Sequence, residues 1–187
     1  MTLYFSGCLT QKPTFGLFYR QIVHTLEQWH HTVLQDSTQV DLQEAVNKSD
    51  SQRVDYYRQV LHWVNQADCV VVECSFPSTL SIGHEISLAL DKGKPVIALY
   101  YQDYEPAFLL GLQHPRLFWS DYTEDNITAT LEEGLRFATI QQQIRFNFFI
   151  TSKHTTFLDD VAQKYNMPRS AYMRQLIEDD MERRKKR

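Results

Sequence analysis

Long apolar runs are missing from this sequence. No stretch approaches ~18 consecutive apolar residues, so no membrane span is expected. The start, Met1-Thr2-Leu3-Tyr4-Phe5-Ser6-Gly7, has no basic opening and no extended apolar stretch, which argues against a secretory leader. Cysteine is scarce. Cys8, Cys69 and Cys74 make an odd count of three, and their spacing matches no zinc pattern. They read as reduced thiols, so a cytoplasmic protein is expected, with no metal and no cofactor. There is no internal repeat and no low-complexity segment. What remains is sufficient for a core: 43% of the 187 residues are hydrophobic, which excludes global disorder and fits one ordinary domain plus a small one.

Charge is unevenly spread. Residues 141–187 carry ten Lys or Arg against six Asp or Glu, and the whole chain has a net charge of −4. The body before residue 141 is therefore acidic and the tail basic, which suggests two parts with different partners. The closing Arg183-Arg184-Lys185-Lys186-Arg187 also reads simply as a solvated end.

Strand and helix patterns alternate through the first 142 residues. Short apolar runs at 3–6, 31–34, 69–74, 95–100 and 116–119 read as strands. Cys69-Val70-Val71-Val72-Glu73-Cys74 is β-branched and nearly all apolar, as a central strand covered on both faces would be. Helical spacing occurs at 15–29, 52–66, 81–90 and 127–142. The expected fold is α/β, a doubly wound, flavodoxin-like five-stranded parallel sheet in the order 2-1-3-4-5. Ligands are then expected beyond the carboxyl ends of the strands. After residue 142 the pattern changes. Residues 144–150 alternate like a half-exposed strand, and helices are expected at about 154–165 and 169–183, the second opened by Pro168. Two domains follow, 1–142 and 143–187.

The most informative stretch runs from Ala67-Asp68 through the 69–74 strand to Ser75-Phe76-Pro77-Ser78-Thr79-Leu80-Ser81-Ile82-Gly83-His84-Glu85. It reads as a strand, a Ser-rich loop and a helix start. Free N–H groups at that start suit an anion, and Glu85 is expected in the first turn, where the helix dipole keeps a carboxylate ionised. Plainer readings stand beside these. Glu85 could be a dipole-stabilised surface acid, Ser78 or Ser81 a helix cap, Tyr4 ordinary core, His84 a bystander and Asp68 a strand cap.

Asp68, Pro77, Ser78, Gly83 and Glu85, with Tyr4-Phe5-Ser6-Gly7 upstream, resemble the nucleoside 2-deoxyribosyltransferases and the 2′-deoxynucleoside 5′-monophosphate N-glycosidases over about residues 3–138. The resemblance implies that Glu85 attacks the anomeric carbon, with Tyr4 beside it as a second catalytic residue. It implies a nucleoside or nucleoside monophosphate substrate held by Ser6, Gly7, Ser78, Ser81 and Gly83. An oxocarbenium-like state stabilised and then captured by a carboxylate is the chemistry these residue types suit. The sequence departs from the family in three places. The Pro77-to-Glu85 loop is one residue longer. The second family carboxylate falls at Val60, with Asp55 the nearest upstream acid. Thr10 replaces an Arg, with Lys12 nearby.

Arg145-Phe146-Asn147-Phe148-Phe149-Ile150-Thr151 and the two helices after it resemble the ribbon-helix-helix family. That implies a homodimer whose paired strands bury Phe146, Phe148 and Ile150. It also implies duplex DNA read by Arg145 and Asn147, with Arg169 and Ser170 on phosphate. The alternative is a dimerisation clip. Two functions stay open on the sequence: a nucleoside or nucleotide N-glycosidase or deoxyribosyltransferase, and a nucleotide-sensing transcriptional regulator.

Overall fold

A computed structural model of the chain describes residues 1–141, 149–165 and 167–185. The chain divides into two compact units, residues 1–144 and 145–187.

The first unit is one parallel sheet of five strands in the order β2-β1-β3-β4-β5, where β1 is Thr2–Gly7, β2 Thr32–Leu34, β3 Cys69–Glu73, β4 Val96–Tyr101 and β5 Leu117–Tyr122. Every residue of β3 is buried, as its unbroken β-branched run predicts for a strand covered on both faces. The helices between strands are α1 (Lys12–Gln28), α2 (Leu42–Asn47), α3 (Asp50–Gln66) and α4 (Leu80–Asp91), and α5 (Ile127–Gln141) follows β5. Pro13 sits in the first turn of α1, where its missing N–H leaves no intrahelical bond unmade. A capping box of Ser49 and Gln52 opens α3.

Two cores flank the sheet. Phe15, Tyr19, Ile22 and Leu26 of α1 pack with Leu131 and Ala138 of α5 over Leu3, Phe5, Val71 and Ile97. On the other face Val60 and Val64 of α3 pack with Ile82, Ile86 and Ala89 of α4 over Tyr4, Val70, Val72 and Ala98. Helix α5 lies so close that a Cβ on Gly134 would stand 2.8 Å from Ile97 Cγ2, so this contact requires glycine.

The structure extends several expected elements. Strand β5 runs to Tyr122 rather than 119, because Tyr122 is fully buried and donates to the Glu73 carboxylate. Helix α2 was not apparent in the sequence; its six residues include no buried side chain, so no apolar stripe marks it.

The second unit contains α6 (Ser152–Tyr165) and α7 (Arg169–Lys185), with Pro168 immediately before α7. Leu158 and Val161 of α6 are buried. The Phe157 and Tyr172 rings lie 6.3 Å apart. Of the expected strand at 144–150, Arg145, Phe146, Asn147 and Phe148 lie outside the described residues. Phe149 and Ile150 are in no regular element, and Phe149 is fully exposed. Among the described residues no helix is long and apolar enough to cross a membrane.

Candidate active site

The carboxyl ends of β1 and β3 lie side by side, with Gly7 paired to Glu73 at their tips. Helix α4 leaves the loop after β3 and returns its Glu85 toward β1. Tyr4 Oη donates to Glu85 Oε2 at 3.0 Å, and the contact is buried. Both side chains are nearly inaccessible. The Tyr4 ring lies against Trp63 of α3, with centroids 5.7 Å apart.

Burial pushes the Glu85 carboxyl above its ordinary range; Ser6 and Tyr4 pull it back, and the charge of Asp36 adds to the upward push. This corrects one expectation. Glu85 is not in the first turn of α4, which begins at Leu80 and contains no acidic residue there. The dipole is strongest within a helix's first turn, so hydrogen bonds from β1, rather than the helix end, favour the ionised form. Tyr4 stays a phenol, because burial and the neighbouring carboxylate both push its pKa up.

The other sequence-derived residues divide. Ser6 is buried beside Glu85. The Gly7 N–H donates to Ser37 Oγ at 3.1 Å. Ser81 shares a small chamber of about 130 Å³ with Glu85, Tyr56, Tyr57, Val60 and His84. Ser78 and Gly83 instead border a larger cavity of about 610 Å³, together with Thr79, Leu80 and His84. The larger cavity is where a ligand's bulk has room, yet the carboxylate opens on the smaller one, and it is the carboxylate that identifies the reactive end. Neither Ser78 nor Ser81 caps α4; the N-cap is Thr79, whose side chain makes no cap bond. Ser78 Oγ is buried with no hydrogen-bond partner among the described residues. His84 accepts or donates a bond with the Tyr57 hydroxyl at 3.1 Å and stacks on its ring. The Thr2 N–H donates to Asp68 Oδ2 at 2.8 Å, ahead of β3.

Val60 lies on the chamber wall, so no carboxylate enters from that position. Asp55 is no substitute: it is exposed and pairs with Arg58 at 3.0 Å. Lys12 does not point to an anion site either. Its ammonium donates to the Val40 carbonyl at 2.7 Å and lies 3.4 Å from Asp41.

Sequence reasoning missed Asp36. Tyr56 Oη donates to Asp36 Oδ1 at 3.3 Å, and Tyr56 lines the Glu85 chamber. Burial raises the Asp36 pKa; the Tyr56 hydrogen bond and Lys48 lower it. The available signal was position: Asp36 follows β2 at the carboxyl edge of the sheet, where open α/β folds bind ligands. In the second unit the Arg169 guanidinium is ion-paired with Asp159, and Ser170 is exposed.

No protein-family model matches the chain. A protein of Syntrophotalea carbinolica named as a 2′-deoxynucleoside 5′-phosphate N-hydrolase is 31% identical over 105 residues, 54% of this chain and 69% of that relative. The 5-hydroxymethyl-dUMP N-hydrolase of Rattus norvegicus is 27% identical over 99 residues, 53% of this chain and 60% of the relative. The solved structure of the Clostridium botulinum CMP N-glycosidase superposes with a TM-score of 0.51 at 15% identity, covering 71% of this chain and 99% of that one, a likeness of fold.

Proposed function

The chain belongs to the 2′-deoxynucleoside 5′-phosphate N-hydrolase family, and from that premise we propose that its α/β domain cleaves the N-glycosidic bond of a nucleoside 5′-monophosphate, with Glu85 as nucleophile. The observation that carries this reading is the buried 3.0 Å hydrogen bond from Tyr4 to Glu85. Tyr4 donates to Oε2 and, with Ser6, fixes the carboxylate at the wall of the chamber. A fixed, water-poor carboxylate needs no reorganisation as positive charge develops on the sugar. The C–N bond breaks with its electron pair leaving on the base, and Glu85 closes the sugar as an ester. Water then attacks the same carbon and releases the carboxylate.

The phosphate fits the start of α4. The first N–H groups of a helix lack intrahelical partners and favour an anion. Ser78 Oγ adds a buried hydroxyl with no partner among the described residues. A Cβ on Gly83 would meet nothing within 4 Å, so that wall is open. Ser6 orients Glu85, and Ser81 is placed to meet the sugar or base.

The second unit is read as a ribbon-helix-helix module that joins two copies of the chain. Leu176, Ile177 and Met181 of α7 are exposed in one copy, and a second copy would cover them. Duplex DNA is the alternative ligand of this module, and the Asp159–Arg169 ion pair competes with a phosphate contact there.

The test is to incubate the protein with ribo- and deoxyribonucleosides and their 5′-monophosphates and to follow free base. The monophosphates are expected to lose base and the nucleosides to react far more slowly. Release from no compound of either kind contradicts the reading.

A further inference from the structure

The connection from β2 to α2 brings a second carboxyl group to the site. Leu34 pairs with Tyr4 in the β1–β2 ladder, and both side chains join the core on the α3–α4 face of the sheet. Side chains alternate along an extended chain, so residue 36 returns to the face that bears Tyr4 and Ser6. The loop is tied at both ends. Ser37 accepts the Gly7 N–H at 3.1 Å, and Lys12 holds the Val40 carbonyl at 2.7 Å. Just before the first tie, Tyr56 donates to Asp36 at 3.3 Å. Tyr56 stands one turn before Val60 on α3 and lines the chamber with Glu85. A carboxyl group from the loop after β2 is thus hydrogen-bonded to the wall residue Tyr56 and close enough to act on the Glu85 carboxyl, while α3 presents Val60 to the chamber.

We infer that Asp36 is the general acid of this site, delivering a proton to the departing base while Glu85 takes the sugar. The inference rests on the N-glycosidase reading. As the C–N bond breaks, its electron pair stays on the base nitrogen, and that nitrogen receives the Asp36 proton. Asp36, now a carboxylate, accepts a proton from the water that attacks the anomeric carbon, which restores both acids. The groups that act on Asp36 are Tyr56 of α3, Lys48 before α3 and Glu44 of α2, and Asp36 in turn acts on Glu85 of α4. Burial is the largest influence and holds Asp36 above its ordinary range, the direction a proton donor near neutral pH requires. Lys48 is partly engaged elsewhere, with its ammonium 4.4 Å over the Tyr56 ring.

Asp36→Asn tests this without disturbing the loop, because the amide oxygen can still accept from Tyr56. Base release from ordinary deoxynucleoside monophosphates is expected to fall on the order of 10²- to 10⁴-fold, the usual share of a general acid. Release of a purine already alkylated on its imidazole ring, which departs without a proton, is expected to be largely spared. The high-pH limb of the wild-type rate profile is expected to vanish in the variant. Equal loss on both substrates, or an unchanged rate and profile, overturns the role of Asp36. If Asp36→Asn is unaffected while Glu85→Gln is inactive, only this inference fails. If the wild type releases no base from either substrate, the N-glycosidase reading fails and Asp36 falls with it.

Discussion

The Tyr4 hydroxyl on β1 and the Glu85 carboxylate on α4 are 81 residues apart in sequence and 3.0 Å apart in space. The bond stabilises the ionised carboxylate against the burial that pushes its pKa up. Tyr4→Phe removes the donor and leaves the ring packed on Trp63. The Glu85 pKa should then rise further. The low-pH limb of kcat/KM should move upward by roughly one unit, the scale of one hydrogen bond to a charged group. A rate profile measured across the acid range checks this, and an unmoved limb would remove Tyr4 from the role.

Glu73 gives a separate pH signature, in stability. It is fully buried, accepts from Ser75 and from Tyr122, and burial pushes its carboxyl up to about 7 from an ordinary 4.5. Its folded-state value lies above its unfolded one. The stabilisation from its bound proton is therefore complete below the unfolded value and lost as pH rises through the folded one. Thermal midpoints should decline in the wild type as pH rises from about 4.5 to about 7 and level off above that, and Glu73→Gln should flatten that slope. Parallel slopes in the two proteins would show that Glu73 does not titrate there.

Gly7 has a packing role that a phosphate contact alone does not require. A Cβ there would stand 2.8 Å from the Tyr19 ring. That ring is fully buried and anchored by a 3.0 Å bond from its hydroxyl to the Cys8 carbonyl. Gly7→Ala should lower stability by about 1–3 kcal/mol, the usual range for overpacking a core. Denaturant unfolding measures it. A variant as stable as the wild type but poorer in KM would instead favour a direct substrate role.

The homodimer proposed through the second unit should sediment as a dimer at micromolar concentration. Replacing Ile177 and Met181 of α7 with Lys should shift the protein toward monomer while the first unit stays folded. A folded wild-type monomer at that concentration would contradict the ribbon-helix-helix reading.

The sheet was legible because its signals are local. The β-branched run at Cys69–Glu73 and the alternation of strands with helices were enough for the order 2-1-3-4-5. Glu85 was legible by motif, but its setting was not. The sequence put Glu85 in the first turn of its helix, whereas α4 begins at Leu80, directly after an extended Thr79, and Glu85 falls beyond that turn. Gly83 is tolerated inside the helix. Asp36 carried no motif at all. Its relation to Glu85 depends on β2 pairing with β1 and on Tyr56 reaching across from α3, contacts that no local pattern encodes. Arg145 and Asn147, the expected base-reading pair, lie outside the described residues, so the structure adds nothing to what the sequence said of them.

Glu85→Gln measures the central claim most directly. The amide keeps the shape and can still accept from Tyr4, but it is a poor nucleophile. Base release from the best monophosphate substrate should fall on the order of 10³-fold or more, with the fold and thermal midpoint close to wild type. Base release at the wild-type rate would contradict the account, because the carboxylate would then play no part in breaking the bond.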